Sequence, residues 1–86
     1  MMTEDQVCEI IKANVSEAWD QSGAYETLAD CIDSYAQNAS DTVSELGGTM
    51  EQQSNASIAV YDLATKTISN TNCPEFVIND GCISLK

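Results

Sequence analysis

The sequence predicts an α+β fold in which two antiparallel helices pack on one face of a small antiparallel sheet of about four strands. In the first half of the chain, apolar residues recur every three or four positions, as in amphipathic helices. In the second half, short runs of β-forming residues alternate with turn sequences. The expected order is therefore α–α–β–β–β–β within one domain, residues 1–86, with an acidic helical hairpin over 1–48 and β-hairpins over 49–86.

The first helix is expected over about residues 4–21. Thr3 and Gln6 have the spacing of a capping box, in which each side chain accepts a hydrogen bond from the other residue's backbone N–H. Ser22 and Gly23 are predicted to end this helix and to join it almost directly to the next one, so an antiparallel αα-hairpin is expected.

The second helix is expected over about residues 24–46, ending at the Gly47-Gly48 pair. On a helical wheel its sides differ in character. The predicted buried side comprises Tyr25, Leu28, Ile32, Tyr35, Ala39, Val43 and Leu46. The opposite side carries Glu26, Asp30, Asp33, Asp41 and Glu45, with no basic residue among them. At about 1.5 Å per residue, this row of carboxylates spans roughly 28 Å.

Two β-hairpins are predicted after residue 49, beyond a polar connector. In the first, Ser57–Tyr61 and Lys66–Asn70 flank a turn at 62–65. In the second, Glu75–Asn79 and Cys82–Lys86 flank Asp80-Gly81, a favoured two-residue type I′ turn.

The second hairpin has a predicted register. It pairs Ile78 with Ile83 and Phe76 with Leu85 on one apolar face of the sheet. The other face is mixed in character, which fits a sheet that is covered on one side only.

The charge balance is the most unusual property of the chain. Fourteen acidic residues face three lysines, with no arginine or histidine, for a net charge of −11. Residues 1–51 hold eleven of the acids and only Lys12. Such a chain is repelled by nucleic acid phosphates and anionic membranes, and it attracts basic proteins. We therefore expect no direct binding to nucleic acid or membrane; alternatively, the acids serve only solubility.

Two sequence features bear on localisation. No apolar stretch is long enough for a membrane span. The first residues are acidic, whereas a signal peptide begins with positive charge and continues into an apolar core. The expected location is cytoplasmic.

The sequence does not predict an enzyme. Histidine, the usual general base near neutral pH, is absent. The carboxylates lie on a helix face that is expected to be solvated, where nothing raises their proton affinity. Acidic neighbours surround Cys8 and Cys31 and oppose formation of a reactive thiolate.

The four cysteines do not predict a metal site. Zinc ligands usually come in close pairs, whereas gaps of 22, 41 and 8 residues separate Cys8, Cys31, Cys73 and Cys82. Cys8 and Cys31 are interpreted as small buried residues, and a disulfide between Cys73 and Cys82 across the last hairpin stays open. No metal and no cofactor are expected.

The favoured functional hypothesis is an inhibitor that presents a nucleic-acid-mimicking acidic surface to a basic nucleic-acid-binding protein or complex. Its expected contact residues are Glu26, Asp30, Asp33, Asp41 and Glu45, joined by Glu17 and Asp20 of the first helix. In size, charge and lack of catalytic motifs, the chain resembles phage-encoded inhibitors of host defence, including many anti-CRISPR proteins.

The alternative hypothesis is a non-enzymatic interaction module or homodimer whose contact surface is apolar. Trp19 on a helix flank and Tyr61 on the outer face of a strand are the expected anchors, since aromatic residues dominate many interfaces. In that case the acidic residues are merely solubilising.

Overall fold

A computed structural model describes residues 1–70 and 73–86 of the chain. In these residues the elements are α1 (Glu4–Gln21), a 3-10 turn (Ser22–Ala24), α2 (Leu28–Glu45), α3 (Met50–Asn70), β1 (Phe76–Asn79) and β2 (Cys82–Leu85). The three helices pack on one another, and the strands form one antiparallel hairpin. The predicted arrangement of two helices on a four-stranded sheet is therefore wrong, although helices and antiparallel strands are both present.

The first helix follows the prediction closely. Thr3 Oγ1 accepts a hydrogen bond from the Gln6 N–H at 3.2 Å, and Gln6 Oε1 accepts one from the Thr3 N–H at 2.9 Å. The capping box is thus complete, and α1 runs from Glu4 to Gln21 before the 3-10 turn. Two of the backbone donors that a helix start leaves without partners are satisfied in this way.

The second helix begins later than predicted. Its N-cap is Thr27, whose side chain accepts a hydrogen bond from the Asp30 N–H at 3.1 Å. Glu26 consequently lies in the connection before the helix. At the other end, the Gly48 N–H donates to Val43 O at 2.8 Å and the Gly47 N–H to Ser44 O at 3.1 Å, which is the Schellman pattern. The predicted stop at the glycine pair is confirmed.

The largest correction concerns residues 57–70. The two predicted strands, Ser57–Tyr61 and Lys66–Asn70, and the turn between them all belong to α3. The buried residues of α3 recur at helical spacing: Ala56, Val60, Leu63, Ala64, Thr67 and Ile68. Large apolar residues alternate with small ones only within residues 57–61, whereas the helical spacing of the buried residues continues through the predicted turn.

A second capping box starts α3. Thr49 Oγ1 accepts a hydrogen bond from the Gln52 N–H at 3.1 Å, and Gln52 Oε1 accepts one from the Thr49 N–H at 3.0 Å. The Gln52 side-chain amide also donates to Met2 O at 2.6 Å, which ties the start of the chain to the start of α3. The polar connector predicted at this position is therefore a helix N-terminus.

The last hairpin has the predicted register and turn. Phe76 pairs with Leu85 and Ile78 with Ile83. Asp80 and Gly81 have φ values of +52° and +78°, as a type I′ turn requires. Phe76, Ile83 and Leu85 pack against the helical core. At the turn, Cys8 Sγ donates to Gly81 O at 3.3 Å, so this end of the hairpin lies on α1.

All three helices contribute to one core. Val15, Val43 and Val60, one from each helix, are fully buried. The polar residues inside are satisfied: Asn14 donates to Ile10 O at 2.9 Å and accepts from the Asn38 side chain at 2.7 Å. None of the helices among the described residues combines the length and apolar character that crossing a membrane demands.

The contacts define the helix directions. Two hydrogen bonds join α2 to α1: Cys31 Sγ donates to Ala18 O, and the Asn38 side chain donates to the Asn14 side chain. Later residues of α2 therefore contact earlier residues of α1. On the other side of α2, Asp33 contacts Tyr61 of α3. The connection between the end of α2 and the start of α3 spans only residues 46–49. α1 and α3 therefore both run antiparallel to α2.

Candidate functional site

Four of the predicted contact residues lie on α2, and all four are exposed: Asp30, Asp33, Asp41 and Glu45. At 100° per residue they fall within an arc of about 120°, opposite the buried residues of the same helix. The buried residues are Cys31, Ile32, Ala36, Ala39 and Val43. Because α2 contains no lysine or arginine, the only side-chain charges on its solvent side are the negative charges of these carboxylates.

The buried apolar stripe of α2 is shorter than predicted. Leu28 and Leu46, at the two ends of the expected buried stripe, are 47% and 62% exposed. Leu28 is the first residue of the helix and Leu46 is its C-cap, so both lie at the ends of α2, where burial is incomplete. Tyr25 and Tyr35 are half-buried and pack against the core.

Glu26 is exposed but does not belong to the helical row, because it precedes the Thr27 cap. The row on α2 therefore runs from Asp30 to Glu45, which is about 22 Å along the helix axis instead of the predicted 28 Å.

Glu17 and Asp20 extend the acidic surface from α2 onto α1. Both are exposed. Burial, the charge of Glu17 and the neighbouring Tyr25 together raise the pKa of Tyr35 to about 12, so Glu17 lies on the side of α1 that faces α2. Asp20 follows three residues later on the same side of the helix. We call the surface formed by Glu17, Asp20, Glu26, Asp30, Asp33, Asp41 and Glu45 the acidic face.

The three lysines of the chain lie apart from the acidic face. Lys66 pairs with Asp62 at 3.1 Å on α3, and Lys86 pairs with Glu75 at 3.9 Å beside the hairpin. Lys12 is one helical turn after Cys8, the residue that contacts the hairpin turn. Within the described ranges, no lysine forms an ion pair with a member of the acidic face.

Hydrogen bonds orient two of the carboxylates. Asp41 Oδ1 accepts from the Gln37 side-chain amide at 2.9 Å, one turn earlier on α2. Asp33 Oδ1 accepts from the Tyr61 hydroxyl, which reaches across from α3. These two acids are thereby held in defined positions on the surface.

Two of the cysteine thiols, those of Cys8 and Cys31, are poorly suited to nucleophilic chemistry. Cys8 and Cys31 are buried, as expected. Burial raises the pKa of both thiols, and for Cys8 the charges of Asp5, Glu4 and Glu9 and the nearby Cys82 thiol raise it further. Both therefore remain protonated near neutral pH, and the thiolate is the reactive form.

The disulfide left open between Cys73 and Cys82 does not form. All four thiols are free. Cys82 pairs with Asn79 beside the turn, whereas Cys73 precedes the far end of β1. With about 3.3 Å per strand residue, they are separated by more than the roughly 7 Å that a disulfide permits between Cα atoms. Among the residues that the structure describes, no three acidic or cysteine side chains are grouped as metal ligands.

The two predicted aromatic anchors differ in environment. Trp19 is half-buried and packs against the core, so only part of its ring is accessible to a partner. Tyr61 is 45% exposed, but it lies on α3 and not on a strand. Sequence reasoning missed its neighbour Ile58, which is 66% exposed. Had residues 50–70 been placed on a helical wheel, Ile58 would have fallen outside the buried stripe.

Comparison with known proteins identifies no relative. No protein-family model matches the chain, and neither a curated protein nor a solved structure matches it. The functional argument therefore rests on the geometry and charge of the chain itself.

Proposed function

We propose that this chain is a small acidic binding protein that inhibits a basic nucleic-acid-binding protein or complex by placing the acidic face in its phosphate-binding cleft. One observation carries the proposal: the carboxylates of α2 share one exposed side, and every lysine lies elsewhere. If the acids served only solubility, such separation from the lysines would not be required.

The charge density of the acidic face suits this role. Four carboxylates, those of Asp30, Asp33, Asp41 and Glu45, lie along about 22 Å of α2, and those of Glu17 and Asp20 lie on the neighbouring α1. Along α2 alone this is about one charge per 5.5 Å, compared with roughly 3.4 Å per phosphate along one strand of a nucleic acid duplex, and α1 adds further negative charge. A cleft that neutralises phosphates with lysine and arginine could therefore accept it.

Binding by such a surface depends on many weak contacts. One exposed carboxylate contributes about 0.2–1 kcal/mol to an ion pair, so no single residue dominates. The array also steers a cationic partner toward the face, which raises the association rate at low salt. Because α2 is packed on both flanks by α1 and α3, the backbone that carries these residues needs little reordering on binding.

A displacement assay tests the proposal. Basic nucleic-acid-binding proteins are loaded with a fluorescent oligonucleotide, and the chain is added at about 50, 150 and 300 mM salt. We expect the chain to displace the oligonucleotide at low salt and to lose this ability as salt rises. Failure to displace it from any of them, or displacement indifferent to salt, contradicts the proposal.

Two variants of equal charge change make the assay specific. The acidic-face variant carries D30N, D41N and E45Q. The matched-charge variant carries E4Q, E51Q and E75Q, at the N-termini of α1 and α3 and before β1. Three lost contacts should raise the concentration needed for displacement about tenfold in the acidic-face variant. The matched-charge variant should behave like the wild type, and equal losses in both would mean that only net charge matters.

The exposed side chains of Ile58 and Tyr61 favour a second candidate, an interaction module that joins two copies through an apolar surface. Sedimentation velocity at two concentrations separates the candidates. A stable dimer that hides the acidic face would remove the inhibitor proposal, whereas a monomer at both concentrations would remove the homodimer.

A further inference from the structure

Besides Met50 at its start, α3 carries two large exposed apolar side chains in its middle. Ile58 is 66% exposed and Tyr61 is 45% exposed. They are three residues apart, so they are neighbours on the helix surface. Together with Ser57, Asp62, Thr65 and Lys66 they line a shallow depression. Tyrosine is among the residues that most often dominate the binding energy of protein interfaces.

Asp33 connects this apolar pair to the acidic face. The Tyr61 hydroxyl donates to Asp33 Oδ1, so the tyrosine side chain reaches from α3 to α2. This hydrogen bond, then partial desolvation and the carboxylate charge, raises the pKa of Tyr61, which keeps the hydroxyl a donor at neutral pH. Within the described residues, Asp33 Oδ2 accepts no hydrogen bond.

Among the described residues that line the depression, the one cation, Lys66, is paired. Lys66 lies 3.1 Å from Asp62, one turn earlier on α3. The surface therefore offers an aromatic ring, an aliphatic side chain and a carboxylate oxygen, without a competing free cation. A cationic partner group that also has a flat apolar surface matches this combination.

We infer that Asp33, Ile58 and Tyr61 form an anchor for an arginine side chain of the basic partner, with an apolar partner residue beside it on Ile58. We call these three residues the arginine anchor. This inference rests on the proposed function and specifies how the partner is recognised. The chain itself contains no arginine, so a second copy of this protein cannot supply this side chain.

The chemistry favours arginine over lysine. A guanidinium group is planar and weakly hydrated, so it stacks on an aromatic ring while its N–H groups bind a carboxylate. A lysine ammonium is a compact, strongly hydrated charge that does not present a flat surface and a two-pronged donor together. The acidic face attracts either cation, and the arginine anchor distinguishes between them.

Two synthetic peptides of equal length and charge test the anchor. Each has about twelve residues of alanine and leucine with four cations, all arginine in one and all lysine in the other. Fluorescence anisotropy gives the affinity of each at about 50 mM salt. We expect the wild type to prefer the arginine peptide about fivefold, the size of one cation–π contact.

Variants at exposed positions assign this preference. Y61A should abolish it by removing the ring, and D33N should reduce it. Y61F, which keeps the ring, should retain most of it. I58A should weaken both peptides by a similar factor, because it removes the apolar contact only. Circular dichroism checks that each variant keeps the helical content of the wild type.

The outcomes separate this inference from the proposed function. Equal affinity for the two peptides, or an arginine preference that survives Y61A, overturns the arginine anchor. If the acidic-face variant then still binds both peptides more weakly than the matched-charge variant, the proposed function stands. If neither peptide binds, or both variants bind like the wild type, the anchor and the proposed function fail together.

Discussion

α2 and α3 hold similar positions in the helical bundle, yet their solvent sides differ. α2 exposes carboxylates and no cation, and its only large exposed apolar side chains lie at its ends. α3 exposes Ile58 and Tyr61 and carries an ion pair between Asp62 and Lys66. The buried sides of the two helices are alike, since both present small and branched residues to the core.

The difference shows which parts of the sequence the fold leaves free. Burial dictates the inward residues of both helices, and it places no demand on the outward ones. A long row of one sign on α2 therefore reflects something other than folding, because repulsion between like charges slightly destabilises a helix. The same reasoning applies to exposed apolar residues on α3, which gain nothing in the isolated chain.

The first prediction tests whether α3 is a helix comparable to α2. Thr65 is exposed in the middle of α3, but it lies in the turn of the four-stranded alternative. Thr65→Pro should lower the free energy of unfolding by about 3 kcal/mol, because proline removes a helical hydrogen bond and clashes with the preceding turn. Urea denaturation measures this loss.

Thr65→Ala is the control for that substitution. It removes only the hydrogen bond from the Thr65 hydroxyl to Tyr61 O, and should change stability by less than about 0.5 kcal/mol. A proline variant as stable as the alanine variant would mean that residue 65 lies in a turn.

The second prediction concerns the connections at the two ends of α2. A Cβ atom on Gly48 would lie 2.9 Å from Val43 O, whereas one on Gly23 has no neighbour within 4 Å. Gly48→Ala should therefore cost about 2 kcal/mol, because the added methyl group overlaps Val43 in the C-terminal cap of α2. Gly23→Ala should be neutral or slightly stabilising. Thermal or urea unfolding compares them, and similar effects would contradict the close approach at Gly48.

The third prediction concerns the ionisation of Tyr35 on α2. The pKa of Tyr35 is raised to about 12, so its neutral form is favoured in the folded protein. Its contribution to stability is complete below pH 10 and is lost as the pH rises toward 12, because the unfolded tyrosine loses its proton first. Urea unfolding between about pH 9 and 12 should show a smaller alkaline loss in Tyr35→Phe than in the wild type. An identical loss would contradict the shift.

The smallest expected effect belongs to the ion pair on α3. Lys66 and Asp62 are both more than half exposed, with a side-chain exposure of 60% and 57%. Lys66→Ala should therefore lower the free energy of unfolding by less than about 0.5 kcal/mol. A loss above about 1 kcal/mol in urea unfolding would contradict the expectation that this exposed ion pair contributes little to stability.

Local signals predicted the elements that local interactions determine. α1 was found because a capping box and an apolar stripe agree, and the register of the hairpin follows from the turn at Asp80 and Gly81. The sequence predicts strands in place of α3 because Ile58, Val60 and Tyr61 alternate with small residues over a short segment. The burial of Val60 and Ala64 against other helices decides the outcome, and the box at Thr49 and Gln52 was the overlooked sign.

The candidate site was predictable only in part. A helical wheel placed Asp30, Asp33, Asp41 and Glu45 on the solvent side of α2, and they are exposed there. The Thr27 cap, which removes Glu26 from the helix, is a local signal that was not weighed. The contact between Asp33 and Tyr61 depends on how α2 and α3 pack, and no spacing along the sequence encodes it.

The salt dependence of partner binding tests the central claim most directly. For one basic nucleic-acid-binding protein that the chain inhibits, the dissociation constant is measured against salt concentration for the wild type and for the acidic-face and matched-charge variants. The account predicts a shallower salt dependence for the acidic-face variant and a wild-type dependence for the matched-charge variant. Equal flattening in both variants would contradict it, since net charge alone would then explain binding.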